Sequence, residues 1–186
     1  MSYKFGSLQG ADKIQHKYGD VFRHEVYPGW SRVTIAPDAR QIALMLEIAR
    51  QWNGPYGILY VLLLSRPGCH TPARYQSPEP CSFQDLERFA RTFEDYFEGD
   101  GRHHLWFIDV PTSSRLVYDN HNLIYAYGND DDVIALLNSK GLSAGDPNIP
   151  CGHFHNYNPE FDRSEDDIMA YFDWKEFPLQ EEHDDP

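Results

Sequence analysis

The chain has 186 residues and a formal net charge of −13, since 29 Asp and Glu outnumber 16 Lys and Arg. This length favours a single domain spanning residues 1–186, and a hydrophobic content of 41% excludes a wholly disordered chain or a disulfide-dense miniprotein. Because nucleic acids and anionic lipids both bind basic surfaces, the negative charge argues against nucleic acid and membrane as partners.

The N-terminal region predicts an irregular arm followed by a β-hairpin. Residues 1–19 are polar and rich in Gly and Lys, so we expect them to be loosely ordered. Two β-prone runs follow, at 21–27 and 30–35, and Pro28 and Gly29 between them are typical of a turn. This hairpin is therefore expected to be the first regular structure in the chain.

Two helices and two strands are predicted in the next part of the chain. Apolar residues at helical spacing follow Pro37, which suits a first helical turn, so a buried helix is expected there. The continuous apolar run 57–64 is typical of a central strand covered on both faces, and a short strand is expected at 73–76. Ser82, followed three residues later by an acid, is a helix-capping pattern, and this helix is expected to end at Gly99.

The second half of the chain predicts three more strands, two helices and a disordered tail. The strands are expected at 104–110, 115–118 and 123–127. Residues 119–122 suit a tight turn between the last two strands, because Asn and Asp tolerate left-handed backbone. Helices are expected to begin at Asn129 and to span 164–172, and the acidic residues 180–186 are expected to be disordered. Together these elements predict an α+β fold with a mostly antiparallel sheet of about five to six strands and about three to four helices packed on it.

Three potential metal ligands alternate along one short segment. Cys151, His153 and His155 would point to the same side of an extended chain, and tetrahedral zinc binds such nitrogen and sulfur ligands. Three other residues could supply a fourth ligand: Cys69, His70 or Cys81. The spacing matches no common zinc module, so the alternative of an ordinary strand with a small apolar cysteine stays open.

Other features that could support catalysis have structural explanations. Residues 141–145 fit the nucleophile-elbow pattern G-x-S-x-G, but their serine follows a predicted helix rather than a strand. Asp109, Asp119 and His121 lie at or near strand ends, where site residues often gather. Turn formation accounts for Asp119 and His121 equally well. No catalytic or cofactor-binding residue is therefore assigned, and whether the chain is an enzyme stays open.

The functional prediction depends mainly on the distribution of charge. Acidic residues are concentrated after residue 78, whereas residues 1–78 carry more basic than acidic side chains. With three cysteines and no apolar leader, the chain is expected to be cytoplasmic; its oligomeric state is not predicted. We predict a non-enzymatic acidic protein-binding module without a cofactor, such as an inhibitor or immunity-type protein for a basic partner. The alternative is a small zinc-binding protein, or a hydrolase, that uses Cys151, His153 and His155.

Overall fold

The computed structural model describes residues 2–180, so residues 181–186 of the tail predicted to be disordered lie outside the described part. Within it the α-helices are α1 (Gln41–Ala49), α2 (Phe83–Thr92), α3 (Glu94–Gly99), α4 (Asp130–Ser139) and α5 (Asp162–Met169). A short 3-10 helix, Pro159–Phe161, leads into α5. The strands are β1 (Phe5–Gln9), β2 (Asp12–Gln15), β3 (Val21–Tyr27), β4 (Trp30–Ala36), β5 (Tyr56–Leu62), β6 (Ala73–Gln76), β7 (His103–Asp109), β8 (Arg115–Tyr118), β9 (Ile124–Tyr127), β10 (Ser143–Ala144), β11 (His153–His155) and β12 (Lys175–Phe177).

The strands form two sheets. The larger one has nine strands in the order β10-β3-β4-β9-β8-β7-β5-β6-β12, and the smaller one has three in the order β11-β1-β2. Every pairing of named strands is antiparallel except that of β10 with β3. The predicted α+β class is confirmed, although the described residues contain more strands and helices than we expected. Most of the additional strands are two to five residues long, which is too short for a periodic sequence pattern to reveal.

One face of the large sheet packs against the helices and forms the main core. Leu105 and Phe107 of β7 are fully buried in this core, together with apolar side chains from α1, α2 and α4. Since side chains alternate along a strand, His104 and Trp106 lie on the opposite face. Much of that second face is polar, and it carries a cavity described below.

The N-terminal segment differs from our expectation. Residues 1–19 were expected to be loosely ordered, but β1 and β2 form a hairpin in this region. The side chains of Lys4 and Phe5 are fully buried. The reason is a long-range pairing, because β1 also bonds to β11, and local sequence patterns carry no signal for such a partner.

The elements with strong local signals are where the sequence placed them. The β3–β4 hairpin and the strand at 73–76 are confirmed, and Ser82 caps α2 by accepting a hydrogen bond from the Asp85 backbone N–H at 3.2 Å. The helix expected to run to Gly99 is instead divided at Phe93, whose φ of −114° is not helical. Among residues 2–180, no helix combines the length and the apolar character needed to cross a membrane.

Candidate metal centre

Three histidines meet where the small sheet approaches the large one. His121 lies in the turn between β8 and β9, and His153 and His155 lie on β11. One ring nitrogen of each histidine is within 4.8 Å of those of the other two. The ring centroids are 4.8 to 5.7 Å apart. This is the only group of three or more His, Cys, Asp or Glu side chains in the described chain with ligand atoms this close.

The pairing of β11 with β1 sets the positions of two of these rings. Phe5 is opposite His155 and Ser7 is opposite His153, so the two histidines are two positions apart on one face of the strand. The ring of Phe5 lies beneath the cluster, with centroid distances of 5.4 Å to His121, 5.5 Å to His153 and 5.6 Å to His155. The histidines thus surround a buried apolar side chain, which restricts how far each ring can tilt.

The third histidine is positioned by the turn after β8. Asp119 Oδ1 accepts hydrogen bonds from the backbone N–H of His121 at 3.0 Å and of Leu123 at 2.8 Å. Asn122 has a φ of +67°, as the turn prediction required of an Asn at this place. Its side-chain oxygen accepts a bond from the hydroxyl of Tyr118 at 2.7 Å. The turn is therefore held from both sides, and His121 projects from a rigid support.

Each histidine of the cluster donates its Nδ1–H to a protein oxygen. His121 donates to Asp119 Oδ2 at 3.2 Å, and His153 donates to the Pro150 carbonyl at 3.0 Å. His155 donates to the Asn120 carbonyl at 3.1 Å. A carbonyl or carboxylate oxygen can only accept, so each ring donates from Nδ1, and in a neutral ring with this tautomer Nε2 keeps its lone pair. Metal-binding histidines almost always have such an outer partner, which orients the ring and raises its basicity.

The local electrostatics favour neutral imidazole at His155. Burial and the adjacent His121 lower the pKa of His155 to about 4, so this ring is uncharged at neutral pH. Burial raises the pKa of Asp119, but hydrogen bonds from His121 and Leu123 and the charge interactions with His121 and His104 together outweigh burial, and the pKa lies below its usual value. The neutral state of His155 is the one in which an imidazole nitrogen can bind a metal.

A cavity of about 410 Å³ lies next to the cluster and shares His121 with it. Its walls come from the face of the large sheet opposite the helices and from the turn after β8. The lining residues are Arg32, His104, Trp106, Arg115, Val117, Asp119, Asn120, His121, Tyr125, Tyr127 and Ile149. Three nitrogen ligands leave a tetrahedral metal with one open position, which is typical of catalytic zinc sites, whereas structural sites use four protein ligands.

Two of the three alternating ligands predicted from the sequence come together, and the third does not. His153 and His155 belong to the cluster, but Cys151 does not and is exposed. Gly152 has a φ of +78°, and Cys151 and Gly152 form a turn rather than a strand. Because the alternation begins only at His153, the sulfur is not carried to the same face.

The residues considered as a fourth ligand are also outside the cluster. Cys69 is exposed, and the backbone of Cys81 forms an isolated bridge with Tyr56. Burial raises the pKa of the Cys81 thiol to about 11, which disfavours the thiolate that a metal requires. His70 Nε2 is 2.7 Å from a carboxylate oxygen of Asp166, so its ring already has a partner on another surface.

The sequence analysis singled out His121 as a residue near a strand end, but not as a metal ligand. The signal that could have identified it is the Asp119–x–His121 spacing, which lets the carboxylate reach the imidazole. Asp109, grouped with them in the sequence, has a different role: it accepts bonds from the Gly54 N–H at 2.9 Å and the Thr112 hydroxyl at 2.5 Å. Comparisons with protein-family models, with curated proteins and with solved structures give no match, so the functional argument depends on the chemistry of this site.

Proposed function

We propose that the protein is a metal-dependent hydrolase that binds one zinc-class ion through Nε2 of His121, His153 and His155. The observation that carries this proposal is the convergence of the three rings, with one ring nitrogen of each within 4.8 Å of those of the other two, while each Nδ1 lies within hydrogen-bond distance of a protein oxygen. The proposal replaces Cys151 of the predicted ligand set with His121.

The chemistry of the site follows from its three nitrogen ligands and its open side. Bound zinc supplies a Lewis acid and lowers the pKa of a coordinated water to about 7. The protein holds the imidazoles through Asp119, the Pro150 carbonyl and the Asn120 carbonyl. The cavity beside His121 offers room for a small substrate. These features support hydrolysis more than a purely structural role for the ion.

Zinc titration of the full chain tests this proposal. We expect about one equivalent of zinc to bind wild-type protein, and His121→Ala or His153→Ala to weaken binding at least about a hundredfold. His70→Ala is the matched control, because His70 also pairs with a carboxylate but lies outside the cluster. Cobalt in place of zinc should show the visible absorption of a tetrahedral nitrogen site. Failure to bind either ion, or an equal loss in the His70 variant, would refute the proposal.

The acidic protein-binding module predicted from the sequence is a second proposal, with a cytoplasmic location and a basic partner. It is supported by the three acids Asp130–Asp132, which line a shallow surface with His24 and Val26. Val26 and the neighbouring Trp30 are largely exposed. Other acids of the second half, such as Asp100 and Glu165, are buried and bond to Arg102. An association rate with a basic protein that does not change with salt would contradict this proposal.

A further inference from the structure

We infer that the cavity beside the histidine cluster binds a small organic molecule by an oxyanion group, carboxylate or phosphate, held by Arg115. The inference deepens the proposed function and rests on it for the role of this molecule as the substrate. Binding itself is a property of the cavity, so it can be tested with and without zinc.

The walls of the cavity are side chains from neighbouring strands. Trp106 of β7, Arg115 of β8 and Tyr125 and Tyr127 of β9 project from the face of the sheet opposite the helices. The volume of about 410 Å³ is within the range of small-molecule sites. Three aromatic rings on one wall favour a ligand with a planar or apolar part.

The charges lining the cavity differ in how far they are neutralised. Arg32 is paired with Glu25 at 2.7 Å, and both oxygens of Asp119 accept hydrogen bonds from its own turn and from His121. Arg115 has no salt bridge to any carboxylate among residues 2–180, and its guanidinium carbon lies 4.6 Å above the ring of Tyr127. Arg115 is therefore the lining charge that can bind an external anion.

Two further polar groups on the walls are hydrogen-bond donors without a partner in the described chain. The indole N–H of Trp106 and the side-chain NH₂ of Asn120 are buried and unpaired. The side-chain Oδ1 of Asn120 lies 3.3 Å from His104 Nε2. A buried donor without an acceptor costs about 1–3 kcal/mol. Both atoms are shielded from the solvent-accessible cavity, so Arg115 alone is the group placed to meet an oxyanion there.

Asn120 also connects the cavity with the cluster. Its carbonyl oxygen accepts the Nδ1–H bond of His155, while its side chain lines the cavity. His121 lines the same cavity. A molecule held by Arg115 would therefore extend toward the histidines, and the anionic group would serve to anchor it rather than to react.

Calorimetric titration with benzoate, phenyl phosphate and neutral benzamide tests the inference, using zinc-loaded and metal-free full-length protein. We expect at least one of the two anions to bind both forms, and benzamide to bind at least about tenfold more weakly. Comparing benzoate with phenyl phosphate identifies which oxyanion is preferred. Arg115→Gln should weaken anion binding at least about tenfold and leave zinc affinity unchanged. Arg163→Gln is the control, because Arg163 is a highly exposed arginine on α5.

Two results would overturn the inference: no anion binding at millimolar concentration, or binding that requires zinc and is unaffected by Arg115→Gln, since the anion would then only coordinate the ion. Anion binding to metal-free protein that cannot bind zinc would support the cavity site and refute the proposed hydrolase. Zinc binding without anion binding would support the proposed metal site and refute the anion site in the cavity.

Discussion

Replacing Asp119 by Asn tests the proposed metal centre through a residue that is not one of the proposed ligands. In the wild type, Asp119 Oδ2 accepts the Nδ1–H of His121 at 3.2 Å, and Oδ1 accepts two backbone N–H groups of the turn. An asparagine in the same place can keep its oxygen on the backbone donors, but its NH₂ group would then face the Nδ1–H of His121. The ring would lose its charged acceptor, while the turn would keep its main support.

The expected magnitude follows from the loss of one outer-shell partner. Such changes weaken metal binding by about 10–100-fold, or about 1.4–2.7 kcal/mol, whereas removal of a ligand should weaken it at least about a hundredfold. His153 and His155 keep their carbonyl acceptors in this variant, so about one equivalent of zinc should still bind at saturation. Competition with a chromophoric chelator measures the dissociation constant of both proteins directly.

Asp109→Asn is the matched control for this experiment. Asp109 is as well buried as Asp119 and also accepts a backbone N–H, from Gly54 at 2.9 Å, but it does not contact the histidines. Asp109→Asn should therefore lower the free energy of unfolding without changing the affinity for zinc. Equal zinc affinity of Asp119→Asn and wild type would show that the carboxylate does not orient His121, and the reasoning on the three Nδ1 partners would be wrong.

Two further predictions concern stability. Arg102→Met should lower the free energy of unfolding by about 3–5 kcal/mol in urea, because it leaves the buried carboxylates of Asp100 and Glu165 without their positively charged partner. Arg163→Met should change it by less than about 0.5 kcal/mol, and equal effects of the two substitutions would contradict the buried network. Hydrogen bonds from Arg32 lower the pKa of Glu25 from 4.5 to about 2. The unfolded chain therefore binds this proton more tightly, so the stabilisation is present above pH 4.5 and is lost as the pH falls toward 2. In the Glu25→Gln variant, the free energy of unfolding should depend less on pH between pH 4.5 and pH 2, as measured by denaturation at a series of pH values. A pH dependence equal to that of the wild type would exclude this contribution.

Local sequence patterns predicted the parts of the fold that depend on near neighbours. The turn at Pro28 and Gly29 joins β3 and β4, and the cap at Ser82 begins α2. Local patterns did not predict the strands within residues 5–15, because β1 pairs with β11, which lies far along the chain. A four- or five-residue strand with one long-range partner has too few residues to show a period.

The candidate site was predicted in part for the same reason. The alternation of His153 and His155 is a property of one strand and could be found from spacing alone. The third member, His121, arrives from a different hairpin, and no spacing along the chain relates it to β11. Cys151 fits the alternation in the sequence. Gly152, however, has a left-handed backbone conformation, so the strand begins at His153 and does not include Cys151. The sequence therefore could not predict that His121 lies close to His153 and His155 in the fold.

The position of Phe5 beneath the three imidazoles has a consequence for how the proposed metal ion would be released. Phe5 and His155 are neighbours across the β1–β11 pair, although roughly 150 residues separate them in the chain. Opening of this short sheet would remove the support of two ligands at once, so metal release and local unfolding of the N-terminal hairpin would be one event. Zinc would then suppress this opening more strongly as its free concentration rises above the dissociation constant of the site. Bound zinc would therefore stabilise the pairing of strands in the smaller sheet, β11-β1-β2.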